Sequence, residues 1–133
     1  MTHYINTDLV ISGENLQALD KAFKALGLVA LGTIPDEPGV FNMGYETEHQ
    51  HHNPESNIEV FLSVLMGLDE AALRVWNACE RREFDIGYEC GTTPRVINHT
   101  LSLELLRRVT AVNAALRITI YADLERKRKR SEV

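Results

Sequence analysis

Cysteine is scarce in this chain: Cys79 and Cys90 are the only two, and no Cys-x-x-Cys spacing is present for a structural zinc. So few thiols suit a reducing compartment, and both are expected to be small buried hydrophobes; a Cys79–Cys90 disulfide has no support in the sequence. Long apolar runs are missing too, which excludes a membrane-spanning helix. The opening Met1-Thr2-His3-Tyr4-Ile5-Asn6 has no basic segment followed by an apolar one. No secretory signal is therefore expected, and the cytoplasm is the default location. Glycine is thin where nucleotide chemistry would need it: the turn Ser12-Gly13-Glu14-Asn15 holds one glycine and no phosphate-cradling pattern. There is no Gly-x-Ser-x-Gly elbow and no Cys/His constellation. The chain therefore reads as non-enzymatic, with no cofactor.

What is present is an ordinary globular composition, 44% hydrophobic and 25% charged over 133 residues, long enough for one domain with a real core. The domain is read as residues 1–124, and residues 125–133 as a basic tail. That tail holds five basic and two acidic side chains, a net of +3, so residues 1–124 carry −8 of the total of −5. An acidic body repels phosphate backbones, which makes nucleic acid an unsuitable partner except through the run Arg126-Lys127-Arg128-Lys129-Arg130. It suits a basic protein instead, because opposite fields speed encounter. A plainer account is that net charge keeps the protein soluble and the tail is a solvated terminus.

Periodicity then sets the elements. Asp8-Leu9-Val10-Ile11 reads as a strand, followed by a helix with Leu16, Leu19, Ala22, Phe23 and Leu26 at helical spacing and Gly27 as its left-handed cap. Leu28-Val29-Ala30-Leu31 reads as a second strand, Pro35-Asp36-Glu37-Pro38-Gly39 as a turn, and residues 40–45 as an edge strand. Residues 46–56 are the most polar stretch and read as an exposed, mobile loop. Ile58, Val60, Leu62, Val64 and Met66 alternate with Glu59, Phe61, Ser63 and Leu65, which predicts a central strand covered on both faces. Asp69 is placed to cap a helix over residues 70–82, with Leu73, Val75 or Trp76, and Cys79 inward. Phe84, Ile86, Tyr88 and Cys90 share one face of the next strand. Ser102 opens a helix carrying Leu105, Leu106, Val109 and Val112, and Leu116-Arg117-Ile118-Thr119-Ile120-Tyr121 closes the fold as a half-buried strand. Leu106 and Ile118 are expected in the core. The order implies an α+β domain: a ferredoxin-like, split-βαβ antiparallel sheet with helices on one face and an extra C-terminal helix and strand.

Candidate chemistry is sparse. Glu46-Thr47-Glu48-His49-Gln50-His51-His52-Asn53-Pro54-Glu55 concentrates metal-ligand residue types, and His49 and His51 would project the same way from an extended segment, with Glu48 or Glu55 completing a divalent site. A functional site needs a scaffold and supporting hydrogen bonds that a polar loop does not visibly offer, so no metal is assigned. His99 lacks a sequence partner for acid–base work, and Ser102 is better explained as a helix cap.

The stretches Glu83-Phe84-Asp85-Ile86-Gly87-Tyr88, Leu101-Ser102-Leu103-Glu104-Leu105-Leu106-Arg107-Arg108 and Ala114-Ala115-Leu116-Arg117-Ile118-Thr119-Ile120-Tyr121 resemble the closing half of a family of uncharacterised bacterial α+β domains. Leu9-Val10-Ile11-Ser12-Gly13-Glu14-Asn15-Leu16 resembles that family's first strand and helix entry. The likeness spans about two thirds of the chain, leaves out residues 32–56, and rests on structural motifs. Small proteins of this type resemble immunity proteins that neutralise bacterial toxins, so the resemblance implies such a role without carrying over any functional residue.

Together these readings point to a cytoplasmic, non-enzymatic protein-binding domain, an immunity-type inhibitor of a basic toxin among its forms. The alternative is a small-molecule- or metal-binding regulatory domain that dimerises. For the first, Asp36 and Glu37 in the turn and Glu46 and Glu48 in the polar loop are the expected acidic contacts, with Phe41 or Tyr45 as the apolar anchor.

Overall fold

The computed structural model describes residues 1–37 and 40–122, and for residues 34–37 and 40 the backbone alone. Nine elements follow in order: β1 (His3–Gly13), α1 (Gln17–Ala25), β2 (Val29–Glu37), β3 (Val40–Glu46), α2 (Pro54–Met66), α3 (Glu70–Ala78), β4 (Arg81–Glu89), α4 (Leu103–Ala111) and β5 (Ala115–Tyr121). The α+β class expected from the sequence is what the chain adopts, with four helices and a five-stranded sheet among the described residues. Among the described residues no helix is long and apolar enough to cross a membrane.

The largest correction falls on residues 58–66, which are helical. Both alternating sets there carry apolar residues, so the same segment also presents Ile58, Phe61, Leu62 and Leu65 at helical spacing, and all four are buried. The N-terminus decides between the two. Asn53 accepts a hydrogen bond from the Ser56 N–H at 2.9 Å, and Pro54 occupies the first turn, where its missing N–H costs nothing. Asp69 and Ser102 cap α3 and α4 in the same way, accepting from Ala72 and Leu105, and Gly27 takes φ +98° after α1. All three were legible in advance.

With residues 58–66 in a helix, the sheet has five strands in the order β2-β3-β1-β4-β5. β1 lies at its centre, antiparallel to β3 (Leu9 opposite Tyr45) and to β4 (Leu9 opposite Phe84). β2 runs antiparallel to β3 at one edge, and β5 runs parallel to β4 at the other. The sheet is therefore mixed, and the second βαβ unit expected to begin at Ile58 does not form.

One core sits on one face of this sheet. Leu9, Ile11, Tyr45, Phe84 and Ile86 meet Leu19 and Phe23 of α1, Phe61 of α2, Trp76 of α3, and Leu105 and Val109 of α4. Phe61 stacks on Phe84 at 5.7 Å, and Phe23 sets its edge against Tyr45 at 4.9 Å and Trp76 at 6.3 Å. The Trp76 indole N–H donates to the Val112 carbonyl at 2.8 Å, tying α3 to the end of α4. Two core expectations fail here. Leu106 is half-buried, because α4 turns Leu105 and Val109 inward, and Ile118 is 66% exposed, because among the described residues no helix covers that edge strand. Leu73 is exposed as well, its place taken by Ala72. Both cysteines are free; Cys79 is buried as expected, whereas Cys90 is exposed just past the end of β4.

Candidate functional site

Strand alternation puts every second side chain on the face opposite the four described helices. On β1, Thr7, Leu9 and Ile11 point into the core, so Asp8 and Val10 point out. Register then brings neighbours to them: Asp8 lies opposite Asp85 of β4, and Val10 lies opposite Gly44 of β3 and Glu83 of β4. Glu46 at the end of β3 acts on Asp8 from the other side. The result is a row of three carboxylates from three adjacent strands, Glu46, Asp8 and Asp85. Burial, and then repulsion from Glu46 and Asp85, pushes the Asp8 carboxyl up from 3.8 to about 6.

The row is positioned by polar neighbours. The Asn6 amide donates to Asp8 at 3.2 Å, and the Thr119 hydroxyl of β5 donates to Asp85 at 2.6 Å. Beside it, Glu83 pairs with Arg81 at 2.6 Å and Arg117 at 3.8 Å, and Glu89 faces His3 at 3.2 Å. Apolar groups sit among the charges. Val29 is opposite Glu46 and 42% exposed; Leu31 is 50% exposed and lies over Gly44, where a Cβ would come within 3.6 Å of it. Acidic groups here surround exposed aliphatics on an open strand face.

The residues singled out from the sequence scatter against this face. Glu46 belongs to it. Tyr45 is fully buried, and its hydroxyl donates to Asp20 at 2.6 Å, so it is a core residue and cannot serve as an anchor. Burial and that carboxylate push its phenol far above the usual range. Phe41, 38% exposed, pairs opposite Gly13 on the helix side of β3 and so lies on the wrong face from Glu46. Glu48 is exposed in the following loop. The side chains of Asp36 and Glu37, and the whole basic tail, lie outside the described residues.

The histidine segment is held by hydrogen bonds at two points. Thr47 donates to the His49 carbonyl at 3.1 Å, and the buried Asn57 accepts from the His51 N–H at 2.9 Å and donates to its carbonyl at 3.2 Å. His49, His51 and His52 remain exposed, and among the described residues no three His, Cys, Asp or Glu side chains are grouped to hold a metal. Glu55 lies within α2 and accepts from the Ser102 N–H at 2.7 Å, which holds its carboxyl below the usual range. His99 stacks on Tyr88 and shares a 3.1 Å hydrogen bond with its phenol; the Tyr4 ring meets both edge-on. With Ser102 serving as a cap, this cluster fastens the loop before α4 to the sheet.

A cleft of about 480 Å³ lies beside the start of α1, lined in part by Glu14, Leu16, Arg74 and Cys79. Burial pushes the Cys79 thiol up despite nearby Arg82, and its hydrogen goes to the Val75 carbonyl, so it is a poor nucleophile there. No family model, curated protein or solved structure matches this chain.

Asp8, Asp85 and Leu31 do not stand out in the sequence. The only local signal of the two aspartates is a polar residue between buried ones, Leu9 after Asp8 and Phe84 before Asp85, which describes any half-covered strand. Cross-strand register makes them a group.

Proposed function

We propose that this protein is a non-enzymatic binding domain that receives a basic protein partner on the open face of its sheet. The observation that carries the reading is the half-buried row Glu46–Asp8–Asp85 on a face that, among the described residues, carries no helix. Carboxylates crowded together in this way hold Asp8 partly protonated near neutrality. A lysine or arginine placed between them relieves the repulsion, and part of the desolvation has already occurred in the free protein. Leu31 and Val29 supply the apolar anchor that Phe41 and Tyr45 do not. Anchors of this kind govern how long a complex lasts, while the surrounding charges govern encounter rate and salt sensitivity. The −8 charge over residues 1–124 steers a basic protein toward the domain.

The ferredoxin-like reading of the frame is supported by β1 and β2, which run parallel on either side of antiparallel β3 with α1 between them in sequence. An immunity-type role, in which a basic toxin is neutralised by covering its surface, suits a face that binds by area and charge. Paired capture from extract of the native host tests the proposal, using the wild-type protein and an Asp8→Asn/Glu46→Gln/Asp85→Asn variant as baits. A basic protein held by the first and lost from the second, with an association rate that falls as salt rises, is the expected outcome. A partner retained by the neutralised bait places the binding surface elsewhere.

A further inference from the structure

A second surface lies at the β5 edge, independent of the open face. Among the described residues, β5 has β4 as its single strand neighbour. The Tyr121 carbonyl accepts from the Cys90 N–H at 2.9 Å, so Tyr121 turns its backbone groups toward β4. Alternate residues of a strand bond to the same side. Arg117 and Thr119 therefore also face β4, whereas Leu116, Ile118 and Ile120 aim their N–H and C=O groups out of the sheet. Those same three residues are register partners of Phe84, Ile86 and Tyr88, which places their side chains on the helix-bearing side. Among the described residues no helix covers them, and they are 36%, 66% and 66% exposed. Free edges are normally blunted with charge, proline or bulges. This one has an unbroken register with β4, no proline, and a single charge, Arg117, which lies on the opposite face 3.8 Å from its own Glu83.

We propose that β5 pairs antiparallel with β5 of a second copy about a two-fold axis through Ile118, joining two five-stranded sheets into one. In that register Ile118 lies opposite the partner subunit's Ile118, and Leu116 lies opposite the partner subunit's Ile120. Every outward N–H and C=O of the three residues then finds a partner, and their side chains form one apolar stripe across the axis. On the other face Arg117 meets the partner subunit's Thr119, so no like charges stand directly opposed. The strand reads the same in polarity from either end about Ile118, which is what an isologous contact requires and a foreign strand does not.

Light scattering over a concentration series tests this. The mass is expected to rise from 15.0 kDa to twice that value. Ile118→Lys sets two ammonium groups against each other at the axis and weakens the dimer by at least about 100-fold, since like charges apposed across an interface cost several kcal/mol. Because Ile118 is exposed in one copy, far-UV circular dichroism and Trp76 emission stay as in the wild type. In a Cys90→Ser background, Ile118→Cys forms an intermolecular disulfide on mild oxidation, because hydrogen-bonded opposite residues sit about 5.5 Å apart. A wild-type mass of 15.0 kDa at every concentration, or a dimer indifferent to Ile118→Lys, overturns the proposal. So does a monomer whose β5 amides become protected from exchange only when host extract is added, an outcome that gives the edge to a foreign strand.

Discussion

Replacing Asn57 by alanine tests whether the polar knot under the histidine segment stabilises the fold. Asn57 is fully buried on α2, and its amide joins three parts of the chain. Its nitrogen donates to the Tyr4 hydroxyl at 2.7 Å and the His51 carbonyl at 3.2 Å, and its oxygen accepts from the His51 N–H at 2.9 Å. Each lost hydrogen bond is worth about 0.5–1.5 kcal/mol net, and a polar group left buried without a partner costs about 1–3 kcal/mol. Not every group is stranded: the Tyr4 hydroxyl keeps Thr7 at 2.5 Å, and His51 is exposed enough for its backbone to turn to water. The expected loss is therefore about 2–4 kcal/mol, short of the full sum of the broken bonds and stranded groups. Urea titration reads it as a lower midpoint at unchanged slope, and the His51 amide should exchange faster with deuterium. Asn57→Asp sharpens the test. Its carboxylate would lack a donor for Tyr4 and His51 and would be buried, which raises its folded-state pKa above the unfolded value. That variant should be weakest at neutral pH and recover as pH falls, since the protonated acid can donate again. An alanine variant within about 0.5 kcal/mol of wild type, with unchanged His51 exchange, would refute the reasoning.

Two further outcomes follow from burial and charge. The Asp8 carboxyl titrates near 6 in the folded chain against 3.8 as its ordinary value, so the folded state takes up a proton more readily than the unfolded state. Asp8's share of stability therefore grows as pH falls through 6 toward 4, and Asp8→Asn should raise Tm at neutral pH and flatten that rise; an unchanged or lower neutral Tm would count against the crowded-carboxylate account. Phe61→Ala should cost about 3–5 kcal/mol because the ring is fully buried against Phe84, whereas Ile118→Ala, at an exposed edge, should cost less than about 1 kcal/mol in a dilute monomer. Equal losses in denaturant would mean that the core has been assigned wrongly.

The two surfaces make different demands on the same fold. Asp8 and Asp85 need the strand face opposite the helices, while Leu116, Ile118 and Ile120 use the edge and the helix-bearing side. A β5-paired dimer would leave both open faces accessible and set them side by side, presenting two carboxylate rows to one extended basic surface. Thr119 connects the two sites, because its hydroxyl holds Asp85 while its backbone belongs to the strand that pairs.

Local chemistry by itself determined the α+β class, the caps at Asp69 and Ser102, the left-handed Gly27 and the closing helix and strand. Each of these depends on a residue acting within one turn or on periodicity along one element. Residues 58–66 escaped that logic because both faces of the segment are apolar, so periods of two and of 3.6 residues fit equally well and the Asn53–Pro54 cap had to decide. Position within the sheet could not be read locally either. Ile118 alternates like any half-buried strand residue, yet the strand order leaves it at an uncovered edge. Tyr45 reads as the last residue of an edge strand, yet β3 lies between β2 and β1 and turns it under α1 toward Asp20. The acidic row is the clearest case. Asp8, Glu46 and Asp85 are far apart along the chain, and only antiparallel register brings them to one patch. Side-chain periodicity says which residues share a face of one strand, but strand pairing, settled by burying a common core, decides which faces become neighbours.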